Sequence, residues 1–392
     1  MPVNNSFQNL DTSRVPSPCH VLDLARLEHN LALLRRVGDA AGVEVLLALK
    51  AFSCFAVADL VLRYLAGTAA SGLYEARLGK TRFGGQMHAY VPGLKDAEVD
   101  EMLTHADHLI LNSLGQWQHF RARLEDSTGT SFGLRVNPGH KEVDNPLYDP
   151  CAPWSRLGVP AAQLTPEDLD GLTGLHVHAL CDHPFAAFDR MLDAVEQNCG
   201  HLFSAVDWIN LGGGLLITDD GFPVDELVAR LQAFRQRTGL RVYLEPGTAV
   251  ALHAGALVTE VLDRTRNVGE LAIMDASATC HMPDVIEAPF TPEVLGARAL
   301  ARDAAPREDE PNIVRLGGPT CLAGDIIGTY RFENPPVVGD RLVFLDLGYY
   351  TMVKATTFNG TPLPALAVWD SRTDALELVR EFSYDDFEAR LS

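Results

Sequence analysis

The sequence predicts an α/β protein in which a (β/α)8 barrel of the TIM type is followed by a smaller β domain. Two observations support this prediction. Between Val43 and Pro246, short β-type apolar runs alternate with segments of helical period, and eight such units are the number that closes a barrel of about 250 residues. After Pro246 the β-type runs continue without helices of comparable strength. A doubly wound open sheet is the alternative for the first part, but it normally has fewer strands.

The predicted barrel spans residues 23–250, and each of its strands is a short run rich in apolar and β-branched residues. Helices are predicted between the strands where apolar residues recur at three- and four-residue spacing, most clearly in 97–106, 187–205 and 224–236. The eight predicted strands are 43–49, 68–71, 87–91, 108–112, 131–137, 174–179, 206–211 and 241–245.

The predicted second domain spans residues 251–392 and is expected to be barrel-like. Residues 1–22 are extended and interrupted by prolines, so they are expected to join it rather than the barrel. The charged, Ala-rich stretch 297–312 is predicted to be an exposed loop or a short helix. The strands predicted in this domain are 256–263, 271–277, 341–347 and 365–370.

The composition excludes several classes of protein. Hydrophobic residues make up 47% of the 392 residues and charged residues 21%, which is typical of a globular enzyme and unlike a disordered chain. The net charge of -20 disfavours nucleic acid and anionic membranes as partners and suits a cationic substrate better. Seven cysteines without a repeated spacing, and no signal peptide or membrane-length apolar run, predict a cytoplasmic protein with reduced thiols.

Two residues at predicted strand ends could carry chemistry, because barrel enzymes place their sites at the carboxyl ends of the strands. Lys50 ends the first strand inside an apolar run, where desolvation lowers the pKa of an amine and leaves a neutral nucleophile. His178 ends the sixth strand and could stack on a planar cofactor. The alternatives are a lysine that extends to solvent and a histidine that belongs to the core.

The ends of the seventh and eighth strands predict an anion site and an acid. Gly212, Gly213 and Gly214 follow the seventh strand, and their backbone amides could converge on a phosphate. The eighth strand ends in Glu245, followed by a proline and Gly247, and this carboxylate could keep a pyridine nitrogen protonated. A flexible turn and an exposed acid are the simpler alternatives.

The second domain contributes a Gly/Pro-rich loop, 317–325, that holds Cys321 and Asp325, and the motif GYYT at 348–351. A buried, inert thiol is the alternative for the cysteine. No metal site is predicted, because the spacing of the candidate ligands matches no known zinc pattern. Those candidates are Cys151, Cys181, His183, Cys280 and His281.

Taken together and in this order, these motifs resemble the alanine-racemase-like, fold-type III pyridoxal-phosphate decarboxylases, which include ornithine, arginine and diaminopimelate decarboxylases. Ala179-Leu180 stand where the diaminopimelate enzymes typically have Gly-Ser. Four segments are similar to the branch of the family that decarboxylates carboxynorspermidine and carboxyspermidine, and they are 145–159, 175–182, 278–290 and 317–325.

The resemblance implies a carboxy-lyase of polyamine biosynthesis that releases norspermidine or spermidine and uses pyridoxal 5'-phosphate. Lys50 would hold the cofactor covalently, Glu245 would keep its ring nitrogen protonated, and His178 would stack on the ring. Cys321 would protonate the carbanion, from the neighbouring subunit of a homodimer. Thr248 replaces an arginine that grips the phosphate in the ornithine enzymes.

The resemblance also assigns the remaining contacts. The phosphate would depend on the glycines and on Tyr350. The substrate's amines would be bound by Asp284 and Asp325, with Glu245 as a further contact. Arg156 could meet a carboxylate, and a structural ion pair is the equal alternative for it.

Two alternatives stay open. One is a diaminopimelate decarboxylase of lysine biosynthesis. The other is a non-catalytic protein of pyridoxal-phosphate homeostasis, although such proteins are usually a barrel alone. The sequence does not rank carboxynorspermidine against carboxyspermidine, because one methylene is worth only about 1–3 kcal/mol in a pocket.

Overall fold

The computed structural model describes residues 6–143, 145–301 and 310–392. It contains two compact units, Glu28–Val250 and a second unit made of Met1–Leu27 and Ala251–Ser392. Within the described ranges, no helix combines the length and the hydropathy needed to cross a lipid bilayer.

The strands, in chain order, are β1 (Cys19–Asp23), β2 (Glu44–Ala48), β3 (Gly67–Ala70), β4 (Gln86–Tyr90), β5 (His108–Leu111), β6 (Ser131–Asn137), β7 (Val159–Pro160), β8 (Gly174–His176), β9 (Trp208–Asn210), β10 (Arg241–Leu244), β11 (Gly255–Asn267), β12 (Gly269–Met274), β13 (Ala297–Ala299), β14 (Ile313–Gly317), β15 (Ile326–Phe332), β16 (Arg341–Leu345), β17 (Ala365–Asp370) and β18 (Ala375–Arg380).

The helices are α1 (Leu24–Ala41), α2 (Ala58–Leu62), α3 (Leu73–Leu78), α4 (Val99–His105), α5 (Leu114–Glu125), α6 (Phe185–Cys199), α7 (Val224–Thr238), α8 (Thr248–Ala251), α9 (Ala278–His281), α10 (Asp284–Glu287), α11 (Thr351–Lys354) and α12 (Tyr384–Glu388). A π-helix, Gly79–Phe83, continues α3. Short 3₁₀ turns lie at Ser6–Asn9, Thr12–Arg14, Phe55–Val57, Asp96–Glu98, Ala161–Gln163, Pro166–Leu169, Gly200–Ala205 and Phe358–Gly360.

The first unit is a closed parallel barrel, as predicted. Its strands follow the order β5-β4-β3-β2-β10-β9-β8-β6, and pairing of β5 with β6 closes the ring. All eight predicted strands are present, with small changes at their ends, and the two-residue β7 is added beside β6. The strands read as continuous apolar runs because a parallel sheet under helices is buried on both faces.

Trp208, on β9, is buried inside the barrel, and its indole ring explains a glycine on β8 and another on β6. It packs with Leu46 and Tyr243 among others and is fully buried. A Cβ at Gly174 would lie 2.0 Å from the indole ring, and one at Gly133 would lie 2.5 Å from it. The close approach of the indole therefore requires glycine on β8 and β6.

The second unit is a mostly antiparallel sheet, which confirms the predicted β class. Its strand order is β13-β15-β14-β12-β11-β1-β17-β18, with β16 also paired to β11. The parallel pairs are β1 with β17 and β12 with β14. β1, from the N-terminal segment, lies between β11 and β17, and the sheet covers two buried apolar clusters.

The prediction for residues 297–312 is wrong at its start. Ala297–Ala299 forms β13 and pairs with β15 in antiparallel register, so long-range pairing overrides the helical tendency of an Ala-rich stretch. Residues 302–309 lie outside the described residues. β14, β15 and β18 were not predicted either, because these short runs are interrupted by charged residues or glycine.

Candidate active site

A pocket opens at the carboxyl end of the barrel strands, around the amine of Lys50. Lys50 lies two residues beyond the end of β2 and is partly buried. Desolvation lowers the pKa of its amine below the usual value, although the nearby Glu245 carboxylate acts in the other direction. The pocket is lined by Ala48, Lys50, Ala69, Ala70, Ser71, Tyr90, Arg135, His176, His178 and Glu245.

Lys50 and His178 face each other across the pocket. The Nζ atom of Lys50 lies 3.3 Å from Nε2 of His178, and the backbone N–H of Gly213 donates to Nδ1 of the same ring at 3.0 Å. Because Nδ1 accepts, the proton of the neutral ring lies on Nε2 and points at the lysine. Burial above all, together with the nearby amine of Lys50 and guanidinium of Arg135, holds the pKa of His178 well below its usual value. The geometry thus favours an unprotonated, nucleophilic Lys50.

Glu245, directly after β10, is held in its ionised form. Nδ2 of Asn210 donates to its Oε1 at 2.6 Å, and Nε2 of His176 lies 3.4 Å from its Oε2. Burial alone would raise the pKa of this carboxyl, but the contact with His176 and the proximity of His88 and Lys50 lower the pKa to about 2. The pocket therefore places a permanent negative charge and a nucleophilic amine on its walls.

Arg135 adds a buried positive charge that the sequence interpretation missed. It lies on β6 and is only 4% exposed; one guanidinium nitrogen donates to the His178 carbonyl at 3.2 Å, and the group lies over the Tyr90 ring at 4.4 Å. Burial lowers its pKa. The sequence did contain a signal for Arg135, because it is the charged residue inside the otherwise apolar run SFGLRVN. A charged side chain on a barrel strand must face the barrel interior or its mouth.

The glycines after β9 are required by close packing. A Cβ at Gly212 would lie 2.4 Å from His178, one at Gly213 would lie 2.1 Å from the Glu245 carbonyl, and one at Gly214 would lie 2.3 Å from a backbone carbonyl. The N–H of Gly212 donates to Oδ1 of Asn210 at 2.8 Å, and the Gly213 N–H is used by His178. Two of the three amides predicted to converge on phosphate are thus bound to side chains of the barrel.

Four predicted residues belong to the second unit. Two of them, Cys321 and Asp325, share one loop. Cys321 is exposed, and its N–H donates to Oδ1 of Asn359 at 2.9 Å. Asp325 is buried, and its carboxylate accepts hydrogen bonds from the hydroxyls of Ser277 and Thr320. The Asp325 carboxylate therefore holds its loop to neighbouring residues, and its predicted contact with substrate stays a prediction.

The other two second-unit residues, and Arg156 of the barrel, are placed as follows. Asp284 begins α10, and its carboxylate accepts a hydrogen bond from Lys354. Tyr350 directly precedes α11 and has a left-handed backbone with φ of 46°. Arg156 lies in the loop between β6 and β7 with an exposed side chain. The barrel thus brings together Lys50, His178, Glu245 and the glycines.

The amino-acid sequence matches the model of a known protein family. The family model described as "Pyridoxal-dependent decarboxylase, C-terminal sheet domain" matches residues 19–348, which is most of the chain. The chain belongs to the pyridoxal-dependent decarboxylases. It is therefore a carboxy-lyase with pyridoxal phosphate as its cofactor, as the sequence predicted, and the non-catalytic alternative is not supported.

The relatives of this decarboxylase are matched over nearly their whole length. It is 41% identical to the carboxyaminopropylagmatine decarboxylase of Synechocystis, over 99% of this chain and 98% of the relative. It is 39% identical to the carboxynorspermidine/carboxyspermidine decarboxylase of Campylobacter jejuni, over 96% and 99%. The crystal structure of the Campylobacter enzyme with norspermidine superposes with a TM-score of 0.87 and covers 96% of this chain and 100% of that one.

Diaminopimelate decarboxylases share the fold at lower identity. The enzyme of Archaeoglobus fulgidus is 24% identical, over 94% of this chain and 91% of the relative. A structure of the Helicobacter pylori enzyme with L-lysine has a TM-score of 0.79 at 16% identity, which shows the shared fold alone.

Proposed function

We propose that this decarboxylase acts on amino acids whose side chain is a polyamine, with carboxynorspermidine and carboxyspermidine as substrates and norspermidine and spermidine as products. The observation that supports it is identity of 37% and 39%, over 96% of the chain, to two enzymes named for those substrates. Diaminopimelate decarboxylases match at only 22–29%. The function belongs to polyamine biosynthesis.

A second candidate substrate is carboxyaminopropylagmatine. The Synechocystis enzyme named for it matches at 41% over 99% of the chain, as well as the first candidates do. The agmatine end carries a guanidinium, whereas the first two substrates end in a primary amine. A guanidinium is best bound by two parallel hydrogen bonds to one carboxylate, so the two candidates need differently shaped acid sites.

The residues of the barrel fit the cofactor. Lys50 would bind it through its unprotonated amine, and Glu245 would keep its ring nitrogen protonated. His178 would lie against the ring, and Gly212, whose Cβ would clash with the imidazole, lets the chain pass close behind it. When bound, pyridoxal phosphate supplies an electron sink for the electrons left as carbon dioxide departs. Gly247 and Tyr350 remain our candidates for the phosphate, with the segment from Gly214 onward.

Other side chains of the protein would donate a proton and bind the substrate. Cys321, as the acid, would return a proton to the substrate carbon, and its loop is tied to Asn359. Asp284 would bind a distal ammonium of the substrate, in exchange for Lys354, its present counter-ion. Arg156 remains a candidate for a carboxylate. Asp325 is less suited to bind substrate, because its oxygens are already used inside the loop.

We propose that the protein is a homodimer in which Cys321 completes the site of the partner. Cys321 and Leu322 are exposed in the second unit, Tyr74 is exposed at the start of α3, and Trp154 is exposed in the loop between β6 and β7. Such large apolar side chains in water are typical of an interface. Co-expressing the Lys50→Ala and Cys321→Ala chains should restore about a quarter of wild-type activity, since half of the dimers would carry one intact site. No restoration in a verified mixed dimer would contradict a shared site.

The substrate is tested by carbon dioxide release from carboxynorspermidine, carboxyspermidine, carboxyaminopropylagmatine, diaminopimelate, ornithine and arginine. We expect kcat/KM for the first two to exceed that for diaminopimelate by at least about 100-fold, because unpaired buried polar groups penalise the wrong substrate. The highest value with carboxyaminopropylagmatine would select the second candidate. The highest value with diaminopimelate would overturn the proposal.

A further inference from the structure

Asn210 connects two parts of the barrel site that are separate in sequence. It ends β9 and is fully buried. Its Oδ1 accepts the N–H of Gly212 at 2.8 Å, and its Nδ2 donates to Oε1 of Glu245 at 2.6 Å. The same Nδ2 lies 3.4 Å from Nδ1 of His88. One side chain therefore joins the glycine segment after β9 to the acid after β10.

The orientation of this amide is fixed by its neighbours. An asparagine side chain has one acceptor oxygen and two N–H donors. Gly212 presents a donor, while Glu245 presents an ionised acceptor, so only one orientation satisfies both. A hydrogen bond to a buried charged group is stronger than one between neutral groups. Asn210 therefore offers Glu245 a donor, which stabilises the anionic form of the carboxylate most strongly.

We propose that Asn210 is a positioning residue of this decarboxylase, which fixes the Glu245 carboxylate for its role at the cofactor's ring nitrogen and fixes the start of the glycine segment through Gly212. The inference rests on the proposed role of Glu245. Asn210 itself does not touch the reacting atoms. It links Glu245 to the glycine segment that begins at Gly212.

The groups that face Glu245 make Asn210 distinctive. His176 approaches from β8, Lys50 from the end of β2, and His88 from β4 behind the asparagine. Asn210 supplies the shortest of the hydrogen bonds recorded for the carboxylate. It is also neutral, so its donor capacity persists at every pH at which the protein is folded.

Asn210→Asp is the sharpest variant, because it keeps an acceptor for the Gly212 N–H and replaces the donor to Glu245 by a second carboxylate. Two carboxylates in contact share a proton, and one of their pKa values rises strongly. We expect the holoenzyme variant to show a titration of the bound-cofactor absorbance between about pH 5 and 9 that the wild type lacks. We also expect kcat at pH 7 to fall about 10- to 100-fold.

Asn210→Ala removes both contacts and adds no charge. We expect the Kd for pyridoxal phosphate to rise about tenfold and kcat to fall by a similar factor, without a new titration. Circular dichroism of the apo-protein reports whether each variant is folded. This second variant keeps the inference testable if the aspartate variant does not fold.

Asn30→Asp is the matched control. Asn30 is also fully buried in the barrel unit, and its Nδ2 donates to the Val250 carbonyl at 3.1 Å. This change should lower the melting temperature but leave the cofactor spectrum and its pH dependence unchanged. If both Asn210 variants behave like this control, the inference is wrong.

Glu245→Gln separates the inference from the proposal on which it rests. A changed spectrum and rate in this variant, with unchanged Asn210 variants, would remove only the inference. An unchanged Glu245→Gln enzyme would remove the proposed role of Glu245 itself.

Discussion

Glu245 in the barrel and Asp325 in the second unit are both acids that the sequence singled out, and they are satisfied in different ways. Glu245 receives one short hydrogen bond from Asn210 and a longer contact from His176, and it lines the pocket. Asp325 accepts from four donor groups, the Ser277 hydroxyl, the Thr279 N–H and both the N–H and the hydroxyl of Thr320. A carboxylate that retains free capacity can serve a ligand, whereas a saturated one holds a loop together.

The largest loss of activity is expected when Lys50, which shares the barrel pocket with Glu245, is replaced. Lys50→Ala removes the nucleophile, so the absorbance band of the lysine-bound cofactor should disappear and kcat/KM should fall by at least about 1,000-fold. Lys80→Ala, which removes a lysine paired with Asp107 on the barrel surface, is the control and should keep the band. A persistent band in the Lys50 variant would contradict the role given to this residue.

Glu245→Gln tests the barrel acid directly. The substitution preserves shape but removes the charge that would keep the ring nitrogen protonated, so we expect kcat to fall about 100-fold and the cofactor spectrum to shift.

The stability of the apo-protein of this Glu245→Gln variant should also depend less on pH than that of the wild type. The depressed pKa of about 2 means that ionised Glu245 stabilises the fold above its unfolded value of 4.5, and that this stability is lost as pH falls towards 2. Denaturant midpoints between pH 5 and 3 in wild type and variant measure the difference.

Asp325→Asn tests the saturated acid and should act on stability more than on chemistry. It turns one acceptor oxygen into a donor that faces the Ser277 and Thr320 donors, at a cost of about 1–3 kcal/mol. Hydrogen exchange in 317–325 should accelerate, while the cofactor spectrum stays unchanged. Asp263→Asn, at an exposed acid of the same unit, is the control and should leave exchange in the loop unaltered. A spectral change as large as that of Glu245→Gln would remove the contrast between the two acids.

The smallest effect concerns His281, which lies beside the Asp325 network. Its Nδ1 accepts the Ser277 N–H, and burial lowers its pKa to about 4 against an unfolded value of 6.5. Because the unfolded chain binds the proton more readily, stability falls as pH drops below 6.5, by about 2 kcal/mol between pH 7 and 5. His281→Gln should reduce this slope in denaturant titrations, and an unchanged slope would contradict the role given to this histidine.

Much of the barrel could be predicted because its signals are local. Each strand is a short apolar run, and the topology of a parallel barrel carries every strand end to the same face. Lys50, His178 and Glu245 follow β2, β8 and β10, so their meeting was implied once the strands were assigned. β13 was missed because its strand character comes from pairing with β15, and no local pattern encodes that partner.

What only the tertiary structure decided is which polar groups are already satisfied. Asn210 reaches Glu245 across 35 residues of sequence, and Ser277 reaches Asp325 across 48. The sequence by itself identified the two acids, the amine and the run of glycines as candidates. It also placed each of them at a strand end or on a loop, because residue type and periodicity are local properties. It could not show that Asp325 is already fully hydrogen-bonded while Glu245 keeps free acceptor capacity, because only folding brings the partners within about 3 Å.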